Sequence, residues 1–186
     1  PRGVEGKINA INYARIKKTP YLGLCYGMQL AVVEYARNVL GFDKAHTVEC
    51  DNTTPYPVIH MIQGQEDILK RRAYGGTMRL GRWDCQVKKG TIADSGYTKY
   101  HAYDDAAKRI VSERHRHRYE FNDTFSKDFE KAGLVLAGRS VLENLLEIVE
   151  LPKSVHPFFV GTQYHPEYRS RPLAPHPIFL EYIAAL

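Results

Sequence analysis

Gly23-Leu24-Cys25-Tyr26-Gly27-Met28-Gln29 decides the reading of this sequence. A short apolar run, Pro20 to Leu24, leads into a cysteine with glycines two residues before it and two after it. An amphipathic run from Gln29 to Leu40 follows at once. A nucleophile placed this way, between a strand and a helix, sits on a sharp turn with strained backbone angles, and the glycines keep the neighbouring chain clear of it. The following helix brings its free N–H groups and positive end to the sulfur, which favours thiolate. Far downstream, Phe158 to Tyr164 reads as a strand that runs directly into His165-Pro166-Glu167. A cysteine in a tight turn, with a histidine and a carboxylate elsewhere in the chain, is the arrangement expected for nucleophilic acyl transfer. His165 and Glu167 are two apart at a strand end, so both can face the cysteine. The plainer alternatives are a buried structural cysteine and a surface His-Pro turn. The glycine frame argues against the first, and the pairing with Cys25 against the second. Cys50 and Cys85 lack such a frame and read as structural.

Working outward, Arg2 to Lys18 reads as a loop and then a helix, with Ile8, Ile11, Ala14 and Ile16 roughly on one face. Thr19-Pro20 breaks it. The helix after Cys25 turns Leu30, Val33, Ala36, Val39 and Leu40 inward and stops at Gly41. Asp43 to Asp67 is irregular, with an apolar patch from Val58 to Ile62; Gln63 to Tyr74 reads as a solvated excursion. Gly75 to Gly81 looks like a turn entering a strand, and Trp83 to Val87 alternates weakly. Ala106 to Val111 is expected to be a short helix, Phe125 to Ala132 another, and Pro177 to Leu186 a terminal one. Leu134 to Ala137 and Leu145 to Val149 read as strands. Strands alternating with helices predict one layered α/β domain over residues 1–186, with a mostly parallel sheet and flanking helices. A domain rarely opens on a loop and helix leading into its nucleophile strand, so an earlier strand–helix unit is expected before Pro1.

Composition sets the outer bounds. The chain has 186 residues, 44% of them hydrophobic, enough for a sizeable core. No uninterrupted apolar run reaches the length of a membrane span, and no basic-then-apolar signal opens the chain. Three cysteines without close pairs argue against a disulfide framework or a zinc ribbon and favour a reducing, cytoplasmic compartment. A formal charge of +5 permits contact with nucleic acid or nucleotide without requiring it. The run Glu113-Arg114-His115-Arg116-His117-Arg118-Tyr119-Glu120 invites a phosphate-binding or metal reading. A phosphate strip is usually longer, and two histidines two apart lack the further ligands that zinc needs. Contact with substrate or with a neighbouring domain ranks first for this run, a solvated edge second, and nucleic acid well below both.

Gly-x-Cys-x-Gly-x-Gln with a distant His-Pro-Glu resembles the class I glutamine amidotransferases. Arg2 to Lys7, Pro20 to Gly41, Gly75 to Gly81, Glu113 to Glu120, Ala137 to Arg139, His156 to Gly161 and Gln163 to Pro172 further resemble the glutaminase domains of the CTP synthase family. The resemblance implies the class I amidotransferase fold and hydrolysis of L-glutamine to glutamate and ammonia through a thioester on Cys25. It implies His165 as the base and Glu167 as its orienting partner. The Tyr26 backbone N–H would serve the oxyanion. A second donor would come from a Pro-Gly-Gly-type loop that precedes Arg2 in the family and is not in this sequence. Gln29, Glu49 and Arg118 would contact the substrate, with Tyr26, Gly27 and Met28 lining the pocket. Arg118 is chosen over Arg114, Arg116 and Arg109 because it directly precedes Tyr119-Glu120; Glu49 is placed mainly by its spacing from Cys25. The resemblance implies no cofactor or metal in this domain. It also implies a separate synthetase domain that uses ATP, Mg and UTP, GTP as effector, and a homo-oligomeric whole enzyme without nucleic-acid or membrane partners.

Overall fold

A computed structural model describes residues 3–61 and 78–186. Helix α1 (Val4–Lys17) is followed by strand β1 (Tyr21–Leu24) and helix α2 (Tyr26–Asn38). Strands β2 (His46–Thr47), β3 (Pro57–Met61) and β4 (Arg79–Val87) come next, then α3 (Ile92–Lys99). Strands β5 (Ile110–His117) and β6 (Tyr119–Phe121) precede α4 (Ser126–Lys131). Strands β7 (Val135–Ser140), β8 (Leu146–Glu150) and β9 (Phe159–Thr162) and helix α5 (Pro177–Ile183) complete the chain.

One sheet has the order β1-β9-β8-β7-β4-β5, and a small one the order β2-β3-β6. The expected α/β layering is present, with sheet directions that are mixed. Among the described residues, the parallel pairs are β1–β9 and β2–β3; the other pairs are antiparallel. The expected parallel pairing is therefore met at the nucleophile strand, while short connections such as the one from β7 to β8 fold back as hairpins.

The period-2 alternation of the strands divides the apolar residues between two cores. Phe159 and Val149 face a cluster built on α1 and α2 with Ile8, Ile11, Met28 and Leu30. Phe158, Val160 and Ile148 face a second cluster with Tyr97 of α3, Tyr164 and Ile178 of α5. Helix α1 is fastened to α2 by Arg15, whose guanidinium donates to the fully buried Glu34 carboxylate at 2.8–3.1 Å.

Several local expectations change. Ile16 is 59% exposed, because α1 turns Val4, Ile8, Ile11 and Ala14 inward and Ile16 falls off that stripe. Val39 caps α2 and is 39% exposed rather than inward. Ala106–Val111 forms no helix; it is a turn into β5. The helix lies earlier, at Ile92–Lys99, where Thr91 accepts a capping bond from the Asp94 N–H. Gln63 to Tyr74 and Gly75 to Thr77 lie outside the described residues.

Candidate active site

Cys25 occupies the single residue between β1 and α2, with φ 50 and ψ −100. A positive φ on a non-glycine residue is a strained conformation that surrounding structure must hold. The holding contacts are visible. Cys25 N donates to Thr162 O at 2.6 Å, locking the turn to the end of β9. Tyr21 Oη donates to Gly27 O at 2.9 Å across the bend. A Cβ on Gly23 would stand 2.6 Å from Tyr21 Oη, 2.8 Å from Gly27 C and 2.9 Å from Met28 N. Strand and helix can approach this closely only because Gly23 has no side chain. Gly161 on β9 plays the same part beneath α2, where a Cβ would lie 3.0 Å from Met28.

His165 and Glu167 follow β9, the strand paired in parallel with β1. The catalytic candidates therefore emerge at the same edge of the sheet. They also share a neighbour in β5: His165 N donates to Arg114 O at 2.9 Å, and Cys25 Sγ lies 3.9 Å from Arg116 O. Carbonyls two residues apart on one strand are about 7 Å apart. His165 Nδ1 is 2.6 Å from Glu167 Oε1, and its ring stacks on Tyr168 at 4.8 Å. The His165 Nε2 atom is buried and has no hydrogen-bond partner among the described residues.

The loop that carries this pair rests on a buried polar cluster. Glu113 accepts from Tyr97 Oη at 2.9 Å and contacts His176 Nε2 at 2.9 Å. Tyr97 and Tyr164 hydroxyls are 3.0 Å apart, and Arg169 donates to Ser112 O. These bonds tie the residues on either side of His165 and Glu167 to β5 and α3.

Glu113 to Glu120 starts on the edge strand of the larger sheet and is solvated on one face only. It alternates along β5, with Arg114 and Arg116 outward and Glu113, His115 and His117 buried. Burial, aided by Arg79, pushes the His115 imidazole down to about 2 and His117 to about 3, so both are neutral. Cys25 is pushed up to about 11, first by burial, with the Glu167 and Glu49 charges adding to it. The Tyr26 backbone N–H and the Gln163 amide act the other way on the sulfur.

The substrate candidates surround this centre. Gln29 is 3% exposed, and its Nε2 donates to Tyr119 O at 2.8 Å and Gln163 Oε1 at 3.1 Å. Glu49 is exposed on the turn after β2, and Arg118 sits in the bend between β5 and β6. Both act on Tyr119: burial raises its phenol, the Glu49 charge adds to that, and Arg118 opposes it. Tyr26 and Gly27 are half-buried and Met28 fully buried in the first turn of α2. Gln163, beside Cys25, and Tyr168, stacked on His165, are not marked in the sequence as neighbours of these residues. The period-2 spacing of Gln163 from His165 was the signal available for the first, and nothing marked the second. Among the described residues, no group of three His, Cys, Asp or Glu could hold a metal ion, and no helix is long and apolar enough to cross a membrane.

A cysteine on a strained strand–helix elbow, with a His–Glu pair just beyond the end of the adjacent parallel strand, fits a class of glutamine-dependent enzymes, and this chain belongs to the class I glutamine amidotransferase family. A model of that family, Glutamine amidotransferase class-I, matches residues 1–185. Within it the chain is similar to CTP synthases. It is 51% identical over 185 residues to the CTP synthase of Caldanaerobacter subterraneus subsp. tengcongensis, covering 100% of this chain and 32% of that protein. It is 45% identical over 184 residues to the CTP synthase of Flavobacterium johnsoniae, covering 99% of this chain and 32% of that protein. The chain thus spans about a third of the length of these relatives. The glutaminase domain of Trypanosoma brucei CTPS with bound acivicin superposes with a TM-score of 0.86 at 34% identity, covering 100% of this chain and 66% of that one.

Proposed function

We propose that the chain hydrolyses L-glutamine through a thioester on Cys25 and supplies ammonia for the ATP-dependent amination of UTP to CTP. The observation that carries this reading is a strained Cys25 at the end of β1 together with His165 beyond the end of the neighbouring β9, its Nε2 without a hydrogen-bond partner among the described residues.

Glu167 accepts from His165 Nδ1–H, so the Nε2 lone pair is the one free to take a proton. Burial keeps the Cys25 thiol neutral in the free protein. The proton passes to His165 as the sulfur attacks the side-chain amide carbon of glutamine. The tetrahedral oxyanion is met by the Tyr26 backbone N–H at the start of α2, where the helix end is positive. A second donor would come from the loop that precedes Arg2 in the family. His165 returns the proton to departing ammonia, leaving a glutamyl thioester. Water, deprotonated by His165, then releases glutamate. Arg118 pairs with the substrate α-carboxylate and Glu49 with its α-ammonium, while Gln29 and the Tyr26–Met28 backbone line the pocket.

ATP, Mg²⁺ and UTP belong in this reading to a separate synthetase domain. GTP as activator, residues 1–186 as one amidotransferase domain, and a homo-oligomeric whole enzyme in the cytoplasm complete the proposal. The test separates the two half-reactions. Cys25→Ala in the intact protein should abolish glutamine-dependent CTP formation and leave formation from added ammonia intact. Retained glutamine hydrolysis in Cys25→Ala would end the proposal.

A further inference from the structure

The Cys25 sulfur has a neighbour that the acyl-transfer scheme does not use. Gln163 Nε2 lies 3.6 Å from Cys25 Sγ. A carboxamide can turn either its oxygen or its NH2 group toward an atom, and the two ends have opposite effects on a thiolate. Here the choice is made further along the chain of hydrogen bonds. The Tyr119 carbonyl can only accept. It faces Gln29 Nε2 at 2.8 Å, so the Gln29 amide must turn its NH2 group that way. The same nitrogen has a second hydrogen, which goes to Gln163 Oε1 at 3.1 Å. With its oxygen held there, Gln163 has only its NH2 group to offer the sulfur. His117 joins the far end, its Nδ1 lying 3.0 Å from the same Tyr119 oxygen and its Nε2 3.1 Å from His115 Nδ1. Since Tyr119 O cannot donate, His117 carries its proton on Nδ1, and His115 Nδ1 must donate to His117 Nε2. Gln163 is fully buried and Gln29 nearly so, which leaves little water to scramble the order.

We propose that Gln163 is a catalytic residue whose side-chain N–H stabilises the Cys25 thiolate, and that Gln29 is the positioning residue that keeps this N–H on the sulfur. The inference rests on Cys25 being the nucleophile of the proposed reaction. As His165 takes the thiol proton, negative charge appears on sulfur and the Gln163 contact becomes a charge-assisted hydrogen bond. Once the thioester forms, the charge has moved to the oxyanion and then away, and the bond weakens. The donor therefore acts where charge is transient. Both Gln29 donors are committed inside the protein, so its structural task is independent of any contact with substrate.

The test is the pH dependence of Cys25 alkylation by iodoacetamide in the intact protein, read on the Cys25 peptide by mass spectrometry without glutamine. Gln163→Leu and Gln29→Met should each raise the alkylation midpoint by about one pH unit, slowing the reaction roughly 10-fold below it. In the same variants kcat for glutamine should fall more than KM rises, and the double variant should be no worse than Gln163→Leu alone. An unchanged midpoint in folded Gln163→Leu overturns the proposal. If that variant does not fold, an unchanged midpoint in Gln29→Met overturns it instead. In the unaltered protein the side-chain ¹⁵N resonance of Gln163 should titrate with the Cys25 midpoint, and a static resonance also overturns it. Because iodoacetamide needs no glutamine, shifted midpoints in a protein without glutaminase activity would keep the hydrogen bond and reject the reaction.

Discussion

His165 Nδ1 stands 2.6 Å from Glu167 Oε1, and this one contact decides which nitrogen of the ring can accept a proton. A carboxylate can only accept, so Nδ1 carries the hydrogen and Nε2 the lone pair. Glu167→Gln keeps the shape but can offer its amide NH2 to Nδ1, which stabilises the wrong tautomer. Glutamine hydrolysis should fall by roughly 10²-fold in kcat, the lower end of what a positioned base contributes. Thermal stability should barely change, because the Glu167 side chain is 43% exposed. Unchanged kcat would remove Glu167 from the machinery.

The bend at Cys25 depends on Gly23 more than on Gly27. A Cβ at Gly23 meets two backbone atoms closer than 3.0 Å, whereas at Gly27 its nearest neighbour is Tyr21 Oη at 3.5 Å. Gly23→Ala should cost about 1–3 kcal/mol of stability, as overpacking does, and should lower activity beyond that by displacing the sulfur. Gly27→Ala should be much milder. Urea denaturation of the two variants side by side makes the comparison; equal losses would contradict the account.

The buried histidines make a signed prediction about acid. His117 is held neutral down to about 3, against an ordinary value of 6.5. Its folded value is depressed, so no stability is lost above pH 6.5. As pH falls below that, the unfolded chain takes a proton that the folded one refuses. Each pH unit in that window costs about 1.4 kcal/mol per such group, so from pH 7 to pH 5 His117 alone accounts for about 2 kcal/mol. His117→Asn should therefore lose less stability than the unaltered protein over this interval, although it starts lower at pH 7. Parallel losses, measured by chemical unfolding at both pH values, would show that His117 protonates freely in the fold.

Arg118 is expected to act on binding rather than chemistry. Arg118→Ala should raise KM for glutamine by roughly 10- to 100-fold, the range for losing a charge-assisted hydrogen bond, with a smaller change in kcat. Arg118→Lys should recover part of the loss, since a point charge replaces the fork without its two-point geometry. Steady-state kinetics on the three proteins would decide it. A kcat effect without a KM effect would move Arg118 from substrate binding to the reaction itself.

Much of this was legible in the sequence for a local reason. The turn at Cys25 is dictated within five residues, by a glycine at position 23 that tolerates close approach and a helix that begins at once. The strand into His165 and the helix over Val4–Lys17 follow from short-range apolar patterns. The helix at Ile92–Lys99 was missed because Asp94, Ser95, Gly96 and Thr98 are poor helix formers, and it is held by the Thr91 cap and by Glu150 accepting from Ile92 N and Ala93 N. Composition alone does not show which side chains of Arg114 to Arg118 turn inward; the alternation of β5 puts the histidines inside.

Sequence by itself singled out Cys25, His165 and Glu167 as candidate nucleophile, base and orienting partner, since each sits in a motif whose geometry is set by its immediate neighbours. Only the tertiary structure decided what surrounds the sulfur. Parallel pairing of β1 with β9 brings Thr162 and Gln163 beside Cys25, and β5 supplies the Arg114 carbonyl to His165 N and the Arg116 carbonyl to Cys25 Sγ. The orientation of the Gln163 amide is fixed by an acceptor-only carbonyl at Tyr119, reached through Gln29. Hydrogen-bond direction passes from partner to partner through space, and no local pattern along the chain encodes it.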